Sequence, residues 1–519
     1  MKIFCFSPFG YEGSLVTVEV DLRRGIPAVD LVGLADGAVK ESRERMKSAI
    51  RNSGFEFPPE RVLISLSPAD LKKEGAGFDL AIALAVLSEH KQLSQTEEIL
   101  VMGELELNGK VRPVRAVHAA ASTAHAAGIR LCIVPAENAD EAREVTGMKV
   151  FGAESLYDAF YALSAPENFS CAKSSDSLKN ISDKNTECIN GVYFSKTNSA
   201  EEFAEVKNQK PLVRALEIAA AGFHNLLVFG PPGCGKTLSL MKFPALVPLL
   251  TNEESQSVTR IYSVAGLLGG KRSAITKRPF RVPHQTASIE GMCGGGSRLS
   301  PGEISLAHNG ALFLDEAAEF RTSVLQMLRV PLENGMISLS RAGRSTVYPA
   351  RFQLLMSTNP CPCGNYGSKE KICLCSMRSI EQYWKKFSAP LLDRIDLRIQ
   401  AESERNSEQN SDAPCSTNEL RTHIAAAVNA QRKRQAKMNG LLSASEIAAY
   451  CKCTDKASAL LDKKTREYDL SARAVSGCLK VARTISDLAE KEIIGEEEIE
   501  EAVTLRKSIS DDQFAAGML

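Results

Sequence analysis

Apolar positions along this chain change their spacing from stretch to stretch, and the changes divide it. "LVTVEVDL" (15–22), "RVLISLS" (61–67) and "LCIVPA" (131–136) read as strands, and residues 36–53 and 78–90 carry apolar side chains at helical spacing. Residues 166–200 are rich in Ser, Asn, Lys and Asp, have little periodicity, and predict a linker after a first domain at 1–165. Beyond it, "NLLVFG", "GALFLDE", "RFQLLMSTN" and "DLRIQA" are apolar runs bounded by turn residues and separated by helical stretches. That alternation predicts a parallel α/β sheet over 201–402. A second polar gap, "ESERNSEQNSDAPCSTN" (402–418), leads into a helical region at 415–510, where 418–437, 443–451 and 471–491 repeat apolar residues with helical period.

Bulk properties narrow the class. A length of 519 residues exceeds a single ordinary core. Hydrophobic residues at 44% and charged residues at 24% are ordinary for a globular protein. The 63 basic and 63 acidic residues cancel, so any polyanion must be held by local basic patches. "MKIFCFSPFGYEGS" has no signal-peptide pattern, and no apolar run is long enough to span a membrane. A cytoplasmic protein without membrane contact is expected. In a reducing compartment, closely paired cysteines point to metal or redox chemistry rather than structural disulfides.

The strongest chemical signal is "VFGPPGCGKTLSL" (228–240). Gly230, Pro231, Pro232, Gly233, Cys234, Gly235, Lys236 and Thr237 have the spacing of a phosphate-binding loop, between an apolar strand and a helix. Glycines let backbone N–H groups curl around phosphate oxygens, and the helix start adds partial positive charge. Lys236 would bridge the β- and γ-phosphates of ATP, and Thr237 would ligate Mg²⁺. Such a loop needs a metal-holding acid and a group that activates water. In "GALFLDEAAEF", Asp315 would hold Mg²⁺ and Glu316 would orient the attacking water. Asn359, ending "FQLLMSTN", can hold the water or γ-phosphate from the other side. Arg394 in "APLLDRIDLRI" and Arg473 at the start of the helix opened by Ser471 offer guanidinium forks to phosphate, or are surface or helix-capping residues.

"STNPCPCGNYGSKEKICLCS" (357–376) sets Cys361 and Cys363 against Cys373 and Cys375. Four thiolates complete a closed tetrahedron for structural zinc, which would brace a loop rather than react. Reduced cysteines without a ligand, or a redox pair, are the other readings. "MISLSRAGRSTVYPARFQ" (336–353) alternates on both sides of "RAGR" and predicts a β-hairpin with Arg341 and Arg344 at its tip.

Taken together, "GPPGCGKT", "RPFRVPHQTAS", "PGEISLAHNGALFLDE", "STNPCPCG", "PLLDRIDL" and "SARA…LKVARTISDL" resemble the ComM/YifB family of magnesium-chelatase-like AAA+ ATPases over nearly the whole chain. The resemblance implies a P-loop AAA+ parallel-sheet domain with a helical lid, preceded by an α+β Lon-protease-like (S5 domain 2-like) domain. It implies Asn359 as sensor 1, Arg394 as arginine finger and Arg473 as sensor 2. It further implies a homo-oligomeric ring, expected to be a hexamer, with ATP between subunits and an ATP-driven DNA branch-migration activity. Residues 287–310 resemble the helix-2 insert of this group. In a ring the 336–353 hairpins would face the pore, where Arg341 and Arg344 could grip DNA phosphates. "SPADLKKEGAGFDLAIALAVL" and "GKVRPVRAVHAAASTAHAAG" resemble the Lon segments that carry the peptidase serine and lysine. Gly75–Phe78 contains no serine, and His118 stands where the lysine is expected, so a non-proteolytic module is predicted. The alternatives to a DNA motor are a chelatase-type ATPase that remodels a partner protein and a nucleotide-switched scaffold.

Overall fold

The computed structural model describes all residues except 1, 74, 94–96, 165–167, 172–184, 199–200, 204–205, 207–208, 269–273, 342–343, 367–370, 402–415 and 507–519. The middle of the expected linker, most of the second polar gap and the two tip residues of the hairpin therefore lie outside the described residues.

The first domain is an eight-stranded sheet of β1 (Lys2–Ser7), β2 (Ser14–Arg23), β3 (Val29–Val32), β4 (Arg61–Ser67), β5 (Glu98–Val101), β6 (Leu131–Pro135), β7 (Lys149–Ala153) and β8 (Ser170–Cys171). Their order is β8-β7-β6-β5-β1-β2-β4-β3. β2 runs antiparallel to β1 and β4, whereas β1, β5, β6 and β7 are parallel neighbours. β4 alternates buried and more exposed positions, as its sequence predicts. Helix α1 (Gly37–Asn52) starts at Asp36, whose carboxylate accepts from the Val39 N–H at 2.8 Å. Helix α2 (Asp79–His90) is buried from Asp79 to Ser88, which fits its unbroken apolar sequence. Helix α3 (Val117–Ala126) completes the elements that matter here.

The expected linker contains more structure than its composition suggests. β8 pairs with β7, and Phe169 enters the first domain's core. β9 (Thr186–Ile189) and β10 (Val192–Ser195) form a hairpin. Val192 and Phe194 are fully buried in the core of the following domain. Two apolar residues at period two suffice to anchor a short hairpin, a signal too brief to stand out in a polar stretch.

The second domain carries α4 (Lys210–Gly222), α5 (Lys236–Met241), α6 (Asn252–Ala265) and α7 (Arg329–Asn334). Its strands include β11 (Leu226–Phe229), β12 (Phe280–Arg281), β13 (Ala311–Leu314), β14 (Met336–Arg341), β15 (Arg344–Pro349), β16 (Gln353–Thr358) and β17 (Leu397–Gln400). Five form a parallel sheet in the order β12-β13-β16-β11-β17. β11, β13 and β16 are buried throughout because cores cover both faces. This is why they read as continuous apolar runs rather than alternating ones. β14 and β15 form the predicted hairpin. The fold is a P-loop AAA+ domain. A lid follows, made of α8 (Thr417–Gln435), α9 (Ala444–Tyr450), α10 (Asp455–Glu467), α11 (Ala472–Leu488) and α12 (Glu496–Thr504). α10 and α12 were not among the predicted helices; α10 buries only Ala457 and Leu461, too narrow a stripe to mark its sequence. Among the described residues no helix is long and apolar enough to cross a membrane.

The two domains meet at α6 and at the hairpin. Arg260 donates to the Tyr11 and Glu12 carbonyls, both at 3.0 Å, and its guanidinium lies 4.9 Å over the Tyr11 ring. His118 Nε2 is 2.7 Å from Gln256 Oε1, and burial pushes the imidazole down to about 4. The position that the Lon resemblance assigns to a catalytic lysine thus holds a neutral imidazole bonded to the next domain. The Tyr11 N–H donates to Thr346 Oγ1 on β15 at 3.2 Å.

Candidate nucleotide site and cysteine cluster

β11 ends at Phe229, and the chain turns through Gly230–Gly235 into α5. Gly233 and Gly235 have φ of +81° and +79°, values that disfavour a side chain. Lys236 is buried. Its ammonium donates to the Gly230 and Pro231 carbonyls at 2.7 and 2.8 Å and to Asn359 Oδ1 at 3.3 Å. Burial lowers its pKa, offset in part by Cys234, Asp315 and Glu316. Cys234 is a buried filler 3.8 Å from that ammonium.

Three adjacent strands deliver the other groups. Thr237 Oγ1 donates to Asp315 Oδ1 at 3.0 Å, so the hydroxyl and carboxylate expected to share Mg²⁺ already touch. Ser357, on β16, donates to the same carboxylate oxygen and accepts the Glu316 N–H at 3.0 Å. Glu316 sits in the left-handed region, with φ of 49° and ψ of 50°. Non-glycine residues there carry roughly 1–2 kcal/mol of strain, a cost found at functional positions. Its exposed carboxylate accepts from Gln285 Nε2 at 3.1 Å. Asn359 follows β16 directly and reaches Lys236. Lys236, Thr237, Asp315, Glu316 and Asn359 thus lie together, and the loop can take a triphosphate with a divalent cation.

Ser357 and Gln285 were missed in the sequence. Ser357 lies within "MSTN", two residues before Asn359, and strand alternation there could have marked it. Nothing in "RVPHQTAS" singles out Gln285.

Arg394 and Arg473 are elsewhere. β17 aligns Leu397 with Leu226, and Asn225 Nδ2 donates to the Arg394 carbonyl at 2.9 Å. Arg394 is therefore level with the start of β11, five residues or about 16 Å of strand from the loop beginning at Gly230. It donates to the Pro390 carbonyl at 2.5 Å and pairs with Glu333, near the end of α7. Arg473 pairs with the same carboxylate at 2.6 Å. The two arginines are together, at the end of the sheet away from their own phosphate loop.

The four cysteines converge. Cys361 Sγ is 3.4 Å from Cys363 and 3.7 Å from Cys373, with Cys363 and Cys373 3.6 Å apart. All four sulfurs lie within 4.8 Å of one another. Metal–sulfur bonds of about 2.3 Å place tetrahedral ligands about 3.8 Å apart, so the set fits a metal ion held by four thiolates. The Asn365 N–H and the Cys361 thiol lower the Cys363 thiol to about 6, whereas burial pushes Cys373 up to about 12. Gly364 packs onto the phosphate loop, since a Cβ there would lie 2.8 Å from Pro232 Cδ. Cys451 and Cys453 are not part of the cluster.

Arg341 is exposed on β14. Arg344 is partly covered, its guanidinium 5.4 Å over the Phe9 ring of the first domain.

Comparisons with known proteins agree with this architecture. The family model for magnesium chelatase, subunit ChlI, matches residues 202–409. The models for subunit ChlI of Mg-chelatase and for the ChlI C-terminal region match 18–138 and 414–506. An uncharacterised protein of Mycobacterium tuberculosis is 38% identical over 98% of both chains. Uncharacterised protein YifB of Escherichia coli is 37% identical over 96% of this chain and 95% of its own. Competence protein ComM of Haemophilus influenzae is 37% identical over 98% and 97%. The chain belongs to the ComM/YifB family of magnesium-chelatase-like AAA+ proteins.

Proposed function

We propose that this protein hydrolyses ATP between the subunits of a ring, expected to be a hexamer, and uses the turnover to drive DNA branch migration. The carrying observation is the separation of two half-sites on one sheet: Lys236, Thr237, Asp315, Glu316 and Asn359 at one end, Arg394 and Arg473 at the other. The reading makes each end useful to a different nucleotide. Lys236 grips the phosphates, Thr237 and Asp315 hold Mg²⁺, and Glu316 polarises water positioned against Asn359. Mg²⁺ would neutralise charge on the β- and γ-oxygens. Arg394 and Arg473 then meet the γ-phosphate bound by the adjoining subunit. Glu316 and the finger also argue against a scaffold that merely binds nucleotide.

DNA as the substrate is supported by the hairpin carrying Arg341 and Arg344 and by the competence designation of a full-length relative. Cys361, Cys363, Cys373 and Cys375 hold structural zinc that steadies the loop behind Asn359 and Pro232. The deciding experiment is ATPase activity with single-stranded, duplex and branched DNA. Stimulation by DNA that vanishes in Glu316→Gln and falls in Arg341→Ala/Arg344→Ala supports the motor. Turnover indifferent to DNA but raised by a partner protein supports the chelatase-type alternative.

A further inference from the structure

Glu333 lies outside every motif that marks the nucleotide site, yet it joins the two arginines assigned to phosphate. Each carboxylate oxygen takes one guanidinium: Oε2 accepts from Arg394 and Oε1 from Arg473, the latter at 2.6 Å. The three residues come from three separate elements. Glu333 is on α7, Arg394 precedes β17 in the core, and Arg473 opens lid helix α11. The lid is tied at the same place a second time, since Ser471 Oγ donates to Asp393 at 3.0 Å. Arg394 is constrained rather than waving in solvent: its side chain is 11% exposed. Its Nε is buried with no partner among the described residues, which leaves donor capacity unspent. Arg394, then Arg473, hold the Glu333 carboxyl below the usual carboxylate range, so it stays charged at neutral pH.

We propose that Glu333 is a positioning residue that sets Arg394 and Arg473 side by side as one unit facing the nucleotide of the adjoining subunit. This rests on the inter-subunit reading above. Two guanidinium groups repel each other at close range, and one carboxylate between them offsets that repulsion. A carboxylate also presents its two oxygens at nearly the spacing of two oxygens on one phosphate. The pair is thereby held at a separation suited to a γ-phosphate before any nucleotide arrives. Fixing core finger and lid arginine through one residue also makes the lid angle part of the site.

The test uses full-length protein and mixed assemblies. Glu333→Gln should lower kcat by about ten- to a hundredfold, the usual consequence of misplacing a reacting group by about 1 Å. Binding of a fluorescent ATP analogue to its intact phosphate loop should stay within about twofold of the parent. Glu333→Asp should keep more activity than Glu333→Gln. The decisive readout is complementation. Glu333→Gln mixed with Lys236→Ala should regain turnover, because junctions then form with one intact loop and one intact arginine pair. Mixed with Arg394→Ala it should regain none. Full activity of Glu333→Gln, or a loss that Lys236→Ala does not relieve, overturns the proposal. A control mixture of Arg394→Ala with Lys236→Ala reports the inter-subunit reading itself. If that mixture stays dead, the broader reading fails; if it revives while the Glu333 mixture does not, only the role of Glu333 fails.

Discussion

The two ends of the five-stranded sheet are built on different plans. At the loop end every group has a partner within the chain: Lys236 with Asn359, Thr237 and Ser357 with Asp315, Gln285 with Glu316. At the far end two arginines share one carboxylate, and Arg394 is level with the start of β11 rather than with the phosphate loop at its end. One end is a finished cradle and the other an unfinished reagent. If the proposed inter-subunit reading holds, hydrolytic competence is divided between copies, and a lesion can be assigned to an end by what complements it.

Loss of Arg394 should have the largest effect. An arginine finger contributes about 10³–10⁵-fold to phosphoryl transfer, so Arg394→Ala should be nearly inert alone yet recover when mixed with Lys236→Ala. Steady-state phosphate release measures both, and failure to recover would erase the distinction between the ends. Glu316→Gln should cost about 10²–10⁴-fold in kcat with nucleotide binding retained. Being a loop-end lesion, it should be complemented by Arg394→Ala and not by Lys236→Ala. Cys361→Ser should remove the roughly one zinc per chain expected for a four-thiolate site, read by elemental analysis, and lower the melting temperature. Because Gly364 packs on Pro232, it should also behave as a loop-end lesion. Complementation by Lys236→Ala instead would place the cysteine loop in the other half. The smallest effect is expected from Arg341→Ala. DNA-independent turnover should persist, while the slope of log affinity against log salt falls by about 0.9 for each DNA phosphate that the variant no longer neutralises.

Much of the loop end was legible in the sequence because its chemistry is local. Gly230 to Thr237 are contiguous, and Asp315, Glu316 and Asn359 each terminate an apolar run, so strand ends could be found by eye. The four cysteines were legible as a set because two C-x-C pairs sit fifteen positions from end to end. Their convergence in space was not, since it depends on how the intervening loop folds. The arginines were recognised as residues but not as a pair. Their meeting depends on Glu333, which sits 61 residues from one and 140 from the other. No spacing rule brings such positions together; only the tertiary fold, which sets the end of α7 beside the start of α11, does. The buried hairpin at 186–195 was obscured for a different reason. Its two anchoring side chains, Val192 and Phe194, are embedded in polar neighbours, and burial comes entirely from a domain that follows it.

The seam between the domains has a mechanical consequence. Tyr11 meets Thr346 through its backbone, its ring lies 6.1 Å from that of Tyr348, and Phe9 lies under Arg344. The β1–β2 turn therefore runs along β15, from Arg344 beside the tip to Tyr348 near the base, on the very ribbon that carries Arg341. A ribbon held along one strand is coupled to whatever holds it. Displacing that ribbon therefore means either carrying the amino-terminal sheet along with it or breaking these contacts, so the position of Arg341 is tied to a domain whose core lies elsewhere.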